Sequence, residues 1–150
     1  MLITTLTKGP DKVFVVIKNG SGSALSAGQV VEWKTASSVY DGYTVTNPTS
    51  IGSGLTVGNA DAATPSGEYG LAQVYGYDDD AIIYKHGIAT NSNVVVADQA
   101  LVASAISGWS SKAAGAASIA SPYMAANAVS MASSSASTGT TQSKVFLRCM

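Results

Sequence analysis

The chain has 150 residues, a net charge of −1 and charged side chains at only 11% of its positions. This length suits a single domain, which can bury roughly 68–70% of the surface of its unfolded chain without disulfides. The small net charge excludes a broad basic surface for nucleic acid or for an anionic membrane. Because no apolar run approaches the ~20 residues of a membrane span, we also expect no transmembrane helix. The N-terminus lacks the pattern of a signal peptide, so synthesis in a cytoplasm is expected.

The low content of charged residues also bears on assembly. Monomeric proteins usually carry surfaces rich in Lys, Glu, Asp and Arg, and these residues are depleted at the cores of protein interfaces. The chain is instead rich in Ala, Ser, Gly, Thr and Val. We therefore expect part of its surface to be covered by other subunits.

The first half of the chain alternates β-branched runs with turn residues, which is typical of strands. The run "KVFVVIK" (12–18) lies between "KGPD" and "NGSGS", so we predict a strand there. Two further strands are predicted at "GQVVEWK" (28–34) and at "YTVT" (43–46). Pro48 should end the last of these, because proline cannot donate a hydrogen bond to a neighbouring strand.

The stretch 51–67 is predicted to be a loop, because it holds four glycines and Pro65 among small polar residues. It contains neither GxGxxG after a strand nor GxxxxGK[ST], so no phosphate-binding loop is expected. Strands are then predicted at "GLAQVYGY" (70–77), "AIIYKHGIA" (81–89) and "NVVVA" (93–97), joined by short polar connections as in hairpins or a meander.

The Ala- and Ser-rich stretch 97–139 allows two interpretations. Alanine favours helix, and a short helix over 97–106 is one of them. Dense serines, regular glycines and the lack of a sustained apolar stripe favour short strands instead, two of them around the Ser107-Gly108 turn. The closing run "SKVFLRC" is predicted to be a strand that follows a flexible loop, "SSSASTGTTQ".

Strands spaced about ten residues apart predict an all-β fold, namely an antiparallel β-sandwich or small barrel with long loops and at most one short helix. We assign residues 1–10 to an N-terminal arm and residues 11–150 to a single β-rich domain. The arm is a candidate for docking onto a neighbouring molecule by strand addition.

Three consecutive acids, Asp78, Asp79 and Asp80, are the first candidates for a site. A calcium loop of the EF-hand type needs acids at alternating positions, a central glycine and a distal glutamate, and this stretch lacks that pattern. Aspartate tolerates turn angles and accepts hydrogen bonds from its own backbone. We therefore predict a solvated hairpin turn between two strands, and no metal site.

The chain has one histidine, His86, and one cysteine, Cys149. They are too few for a zinc site, which needs three or four ligands. No intramolecular disulfide is possible, and a penultimate cysteine is poorly placed to be held beside a base. His86 is expected to be a strand-end residue with an ordinary hydrogen bond, and a role as a general base stays formally open.

No other residues suggest catalysis. The two glutamates, Glu32 and Glu68, show no spacing that would pair them across a sugar, and no serine lies in a GxSxG elbow. Trp33, Trp109 and the tyrosines could bind carbohydrate, but aromatic residues at alternating strand positions more often belong to a core or an interface. We predict no catalytic, metal-binding or cofactor-binding residue, and no enzymatic activity.

Four segments follow one another in an order that is similar to that of a known family. They are a small-residue approach to a strand ("SALSAGQVVEW"), a strand, polar turn, strand and glycine ("GLAQVYGYDDDAIIYKHGIA"), a Leu-Val pair before a Ser-Gly turn ("ADQALVASAISGWSSKAA"), and a closing hairpin ("YMAANAVSMASSSASTGTTQSKVFLRCM"). This serial order resembles the small decoration, or cement, proteins of tailed-bacteriophage capsids.

The resemblance implies a structural virion protein that binds the outer surface of a phage head and braces the shell, often as a homotrimer. The implied partner is the major capsid protein, and the implied location is the capsid surface after synthesis in the host cytoplasm. No cofactor, nucleic acid, membrane or small-molecule substrate is implied. Two alternatives stay open, namely another virion part such as a tail or fibre component, and a carbohydrate-binding module at the host surface.

Overall fold

The computed structural model describes residues 3–4, 11–35, 41–50, 54–85, 97, 100–104, 108–111, 127–132 and 139–149. These residues form ten strands and no helix, which confirms the all-β prediction. The strands are β1 (Ile3–Thr4), β2 (Val13–Asn19), β3 (Val30–Trp33), β4 (Thr44–Thr46), β5 (Thr56–Ala60), β6 (Tyr69–Lys85), β7 (Ala100–Ala103), β8 (Trp109–Ser111), β9 (Ala128–Ser130) and β10 (Gly139–Arg148).

The first half of the chain pairs its strands in a closed ring. β2 pairs in parallel with β4, and the antiparallel pairs β4–β3, β3–β5, β5–β6 and β6–β2 complete the circuit. We call this set of strands the first ring. Closure satisfies backbone groups on both sides of these strands and leaves little free edge.

The second half repeats this arrangement. β6 pairs with β10, β10 with β9, β9 with β7 and β7 with β8, and β8 returns to β6 through the pair of Ile83 and Trp109. We call this set the second ring. The 17-residue strand β6 belongs to both rings, because its residues 69–75 pair with β2 and its residues 75–85 pair with β10. Both circuits are compatible with the barrel-like alternative of the prediction. The prediction of a wholly antiparallel sheet is wrong, because the pairs β2–β4 and β6–β8 are parallel and the sheet is mixed.

The buried apolar side chains form two clusters, which come mainly from the first ring and from the second ring respectively. The first cluster contains Val13, Ile17, Leu25, Val31, Val45, Val57, Ala60, Ala72 and Val74. The second contains Val30, Ala81, Ile83, Leu101, Ala103, Trp109, Ala128, Val145 and Leu147. Cys149 packs against both clusters, so the end of the chain lies where the two cores meet.

Several predicted strands are confirmed. The runs predicted at 12–18, 28–34 and 43–46 form β2, β3 and β4, and "SKVFLRC" lies within the end of β10 and the residue that follows it. In the Ala- and Ser-rich stretch the interpretation as short strands is confirmed by β7 and β8, on either side of the predicted turn. The short helix over 97–106 is wrong in its described part, because Ala100–Ala103 is a strand.

The loop predicted at 51–67 is wrong in its centre, where β5 lies with all five of its residues buried. Gly58, taken as a loop residue, has φ +153° within this strand. A side chain there would overlap the carbonyl oxygen of Gln73 on β6. Gly58 therefore allows two strands to approach closely, and it does not mark a turn.

Other predictions are corrected in part or lie outside the described residues. The flexible loop "SSSASTGTTQ" is wrong at its end, because β10 already begins at Gly139. In the N-terminal arm, Ile3–Thr4 pairs with Val13 and Phe14 of the same chain, and docking onto a neighbour stays a prediction. The strand predicted at 93–97 is outside the described residues except for Ala97.

Candidate functional site

The acidic stretch lies in the middle of a strand. The prediction of a hairpin turn at 78–80 is wrong, because β6 runs through it without interruption. On β10, Ser143 pairs with Ala81 and Val145 pairs with Asp78, so β6 carries one more residue than its partner at this point. This is a β-bulge, which leaves the extra residue unpaired and bends the strand.

The bulge reverses the alternation of buried side chains along β6. Ala72 and Val74 are buried before it, and Ala81 and Ile83 are buried after it. In a strand with a regular period of two, one of these pairs would face away from the core. The extra residue therefore lets one strand contribute to the cores of both rings.

Asp78 takes part in a chain of buried hydrogen bonds that connects the two rings. Its Oδ2 accepts a hydrogen bond from Asn59 Nδ2, and Asn59 Oδ1 accepts one of 2.7 Å from Trp109 Nε1. Asp78 Oδ1 also accepts a bond of 3.0 Å from the backbone N–H of Asp80. Asp78, Asn59 and Trp109 are only 8%, 1% and 0% exposed. We call this chain the Asp78–Asn59–Trp109 bridge.

A polar pocket of about 60 Å³ lies beside the bridge, with Lys12, Asp61 and Gln73 among its lining residues. This volume suits a few water molecules and is too small for an organic cofactor. Within the described ranges, no group of three His, Cys, Asp or Glu side chains is arranged to hold a metal ion. The pocket therefore gives Asp78, Asp79 and Asp80 a polar environment.

The two glutamates have different environments. Glu32, in β3, is buried, and its Oε1 accepts hydrogen bonds of 3.1 Å from both the backbone N–H and the hydroxyl of Thr49. Its Oε2 is buried with no partner among the described residues. Glu68 is exposed in the turn before β6. Glu32 thus anchors the segment that follows β4, while Glu68 is a surface charge.

Cys149 is half-buried, and its Sγ donates a hydrogen bond of 3.4 Å to the carbonyl oxygen of Asn127. Burial raises the pKa of its thiol to about 12. The thiol is therefore neutral at physiological pH, and it packs against both core clusters. Trp33 and Trp109 also pack against core clusters. His86 is outside the described residues.

Exposed apolar side chains lie together on the outer side of β2 and β6. Val16 and Leu71 face each other across the two strands, as do Lys18 and Tyr69. Val16, Leu71 and Tyr69 are 49%, 41% and 61% exposed. Tyr43, next to β4, has its ring centroid 6.2 Å from that of Tyr69. We call these five residues the β2–β6 face.

This face was not predicted from the sequence, although a signal was present. In "KVFVVIK" apolar residues occupy consecutive positions, so a strand formed there has an apolar side chain on each of its two sides. In an antiparallel sheet with one solvated side, the outward positions are usually polar. An apolar residue such as Val16 at an outward position therefore indicates a second surface to be covered.

The sequence matches no protein-family model and no curated protein sequence. Among the described residues, no helix is long and apolar enough to cross a membrane. The resemblance to capsid decoration proteins therefore stays a prediction.

Proposed function

We propose that this chain is a structural virion protein that binds the outer surface of a phage head and stabilises its shell. Its partner is the major capsid protein, and a homotrimer is the favoured form. The observation that carries the proposal is the β2–β6 face, where exposed apolar and aromatic side chains include a single charge, Lys18. On soluble proteins, contiguous apolar patches of this kind mark interaction sites.

The rigidity of the β2–β6 face supports docking onto a preformed protein surface. β2 and β6 pair over six residues of β2, and both strands belong to the closed first ring. A face built on paired strands changes little on binding, so the entropy lost by ordering it is small. Many copies on one shell would also add weak contacts into a large total avidity.

The acidic stretch fits a structural protein. Each oxygen of the Asp78 carboxylate accepts a hydrogen bond within the protein, one from Asn59 and one from the backbone of Asp80, so the side chain connects the rings. A catalytic carboxylate needs hydrogen-bond contact with the group that it protonates or deprotonates. This use of Asp78 supports a structural function.

The proposal is tested with emptied, expanded phage heads that lack any decoration protein. The purified chain should sediment with such heads, saturate at a fixed number of copies per head, and raise the temperature at which the heads break down. A chain that stays in the supernatant at all concentrations would show that the proposal is wrong.

A carbohydrate-binding module is the second candidate, and the Tyr43–Tyr69 pair favours it. Aromatic rings that are exposed on a rigid sheet offer an apolar platform with polar hydroxyl groups. A glycan array distinguishes the two functions, because a sugar-binding module should bind without any head present. Loss of that binding in Tyr69→Ala would assign it to this face.

A further inference from the structure

We propose that Glu32 binds a hard metal cation on the outer side of the first ring, between β3 and the segment 47–50. The inference is independent of the proposed function, because it rests on a buried side chain that is not part of the β2–β6 face. No metal-binding residue was predicted from the sequence, since Glu32 has no acidic neighbour in the chain. The oxygen atoms of the site come together only through the pairing of three strands.

Glu32 lies on the outer side of β3, between two threonines of the neighbouring strands. It pairs with Thr46 of β4 and with Thr56 of β5, both in antiparallel register, and such pairs carry their side chains on the same side of a sheet. Each of the three has as its chain neighbour a valine of the first core cluster, namely Val31, Val45 and Val57 respectively. Because successive side chains of a strand point to opposite sides, Glu32 and the two threonines point away from that core.

The segment 47–50 lies over Glu32 and is held there at two points. Gln29 Nε2 donates a hydrogen bond of 2.7 Å to Asn47 Oδ1, and Glu32 Oε1 accepts the two hydrogen bonds from Thr49. Thr49 is exposed, so the site lies just below the surface and within reach of ions from solvent. These fixed contacts preform the site, which lowers the entropy lost when a ligand binds. We call Glu32, Thr46, Thr49 and Thr56 the Glu32 site.

One oxygen of the Glu32 carboxylate has no partner. The side chain is 4% exposed, and Oε2 is buried without a hydrogen-bond donor among the described residues. Lys34 is only two residues further along the chain, but its Nζ donates a hydrogen bond of 2.7 Å to the carbonyl oxygen of Gly20. Buried charges in proteins are usually paired or coordinate metals, because an uncompensated one is costly. A cation at Oε2 supplies the missing opposite charge.

The donor atoms determine the kind of ion. Carboxylate and hydroxyl oxygens are hard ligands, which suit ions such as Ca²⁺ and Na⁺ and not the metals that prefer thiolate or imidazole. A threonine hydroxyl has two lone pairs, so it can coordinate an ion while it donates its hydrogen elsewhere. The site has one carboxylate and no cluster of three acids. Because affinity falls with the number of charged ligands, we expect a dissociation constant of about 1 mM.

Thermal melting of the full chain in CaCl₂, NaCl or KCl tests the site, with tetramethylammonium chloride as the reference salt at equal ionic strength. An ion that binds only the folded chain raises its Tm, by roughly 3–6 °C at about ten times the dissociation constant. We expect this rise in the wild type for at least one of the three ions, and no rise in Glu32→Gln. Glu68→Gln makes the same change at the exposed glutamate and should respond like the wild type.

The reference salt distinguishes an ion ligand from a residue that only anchors the segment 47–50. Glu32→Gln keeps an oxygen for Thr49 and removes the uncompensated charge, so in tetramethylammonium chloride it should melt no lower than the wild type. In the binding ion the order should reverse. If Glu32 served only to hold Thr49, its replacement would lower the Tm by the same amount in every salt.

Thr46→Val tests the hydroxyl ligands without changing the carboxylate, and it decides the question even if Glu32→Gln does not fold. The substitution removes one oxygen at nearly constant volume. We expect the dissociation constant of the ion, measured by isothermal titration calorimetry, to increase about five-fold or more. Thr141→Val changes a threonine of β10 that is half-buried like Thr46, and it should bind the ion as the wild type does.

The inference is wrong if none of Ca²⁺, Na⁺ and K⁺ raises the Tm of the wild type above its value in the reference salt. It is also wrong if Glu32→Gln and Thr46→Val respond to the ion as strongly as the wild type, because the ion then binds elsewhere. Neither result affects the proposed function, which is tested by binding to heads.

Discussion

The replacement of Asn59 by alanine tests whether the Asp78–Asn59–Trp109 bridge holds the two rings together. The change leaves Trp109 Nε1 and Asp78 Oδ2 without the partner that each has in the fold. Each buried polar group that loses its partner costs about 1–3 kcal/mol. We therefore expect Asn59→Ala to lower the free energy of unfolding by about 2–5 kcal/mol. For a chain of this size that corresponds to a fall in Tm of roughly 5–15 °C.

A double-mutant cycle with Trp109→Phe isolates the hydrogen bond between the two side chains. Trp109→Phe removes the donor and leaves Asn59 Oδ1 unpaired, at an expected cost of about 1–3 kcal/mol together with a small cavity. In the double variant both partners are missing, so its loss should be smaller than the sum of the single losses by about 1–3 kcal/mol. Urea denaturation of all four proteins measures this coupling energy.

The control for the cycle is Gln142→Ala, an exposed position on β10, which should change stability by less than about 0.5 kcal/mol. Losses that add to within about 0.5 kcal/mol would show that Asn59 and Trp109 are not coupled. An Asn59→Ala protein as stable as the control would refute the whole argument for the bridge.

Three further predictions follow from single positions. Gly58→Ala should lower the free energy of unfolding, measured by urea denaturation, by about 2–5 kcal/mol, because position 58 has a positive φ and lies against the backbone of Gln73. The control Gly54→Ala places its new methyl group in open space and should change the free energy of unfolding by about 0.5 kcal/mol at most. Equal effects of the two substitutions would contradict this prediction. Because burial raises the pKa of Cys149 to about 12, a thiol reagent at mildly alkaline pH should label the native protein far more slowly than the protein unfolded in urea, and equal rates would be inconsistent with the structure. The pKa of Asp41 is held below its ordinary value, so its stabilising contribution is present above about pH 4 and is lost as the pH falls further. Asp41→Asn should accordingly show a smaller fall in Tm than the wild type on acidification, and parallel Tm curves would rule this out.

The strands that could be predicted from the sequence are those whose signals are local. β2 is a β-branched run between two groups of turn residues, and β4 ends just before Pro48. Both signals act through the backbone of the residues that carry them, so they hold in many folds. The same reasoning could not separate helix from strand in the Ala- and Ser-rich stretch, because alanine fits either and only the pairing of β7 with β8 and β9 decides.

β5 was missed because the meaning of a glycine depends on what lies opposite. In the sequence, Gly58 stands among glycines, a proline and small polar residues, all of which are common in loops. In the fold it faces the backbone of Gln73, which lies so close that there is no room for a side chain at position 58. That contact joins residues far apart in the chain, so no local pattern reports it.

The acidic stretch was misjudged for the same reason. Consecutive aspartates favour a turn when their own backbone is the available hydrogen-bond partner. Asp78 instead bonds Asn59, 19 residues away, and Asn59 bonds Trp109, a further 50 residues along the chain. These distant partners make a buried carboxylate acceptable inside a strand, and the bulge places the other two acids at the surface.

The low charge of the chain and the β2–β6 face both bear on the same question, namely which part of the surface is covered by other molecules. Composition predicts that some surface is covered by other subunits, but it cannot say which part, because apolar residues at outward and inward positions look alike in a run such as "KVFVVIK". Ring closure decides this, since it commits Val13 and Ile17 to the core and leaves Val16 outside. Once the inward side is full, the outward apolar residues form an exposed patch of the kind that marks an interaction site.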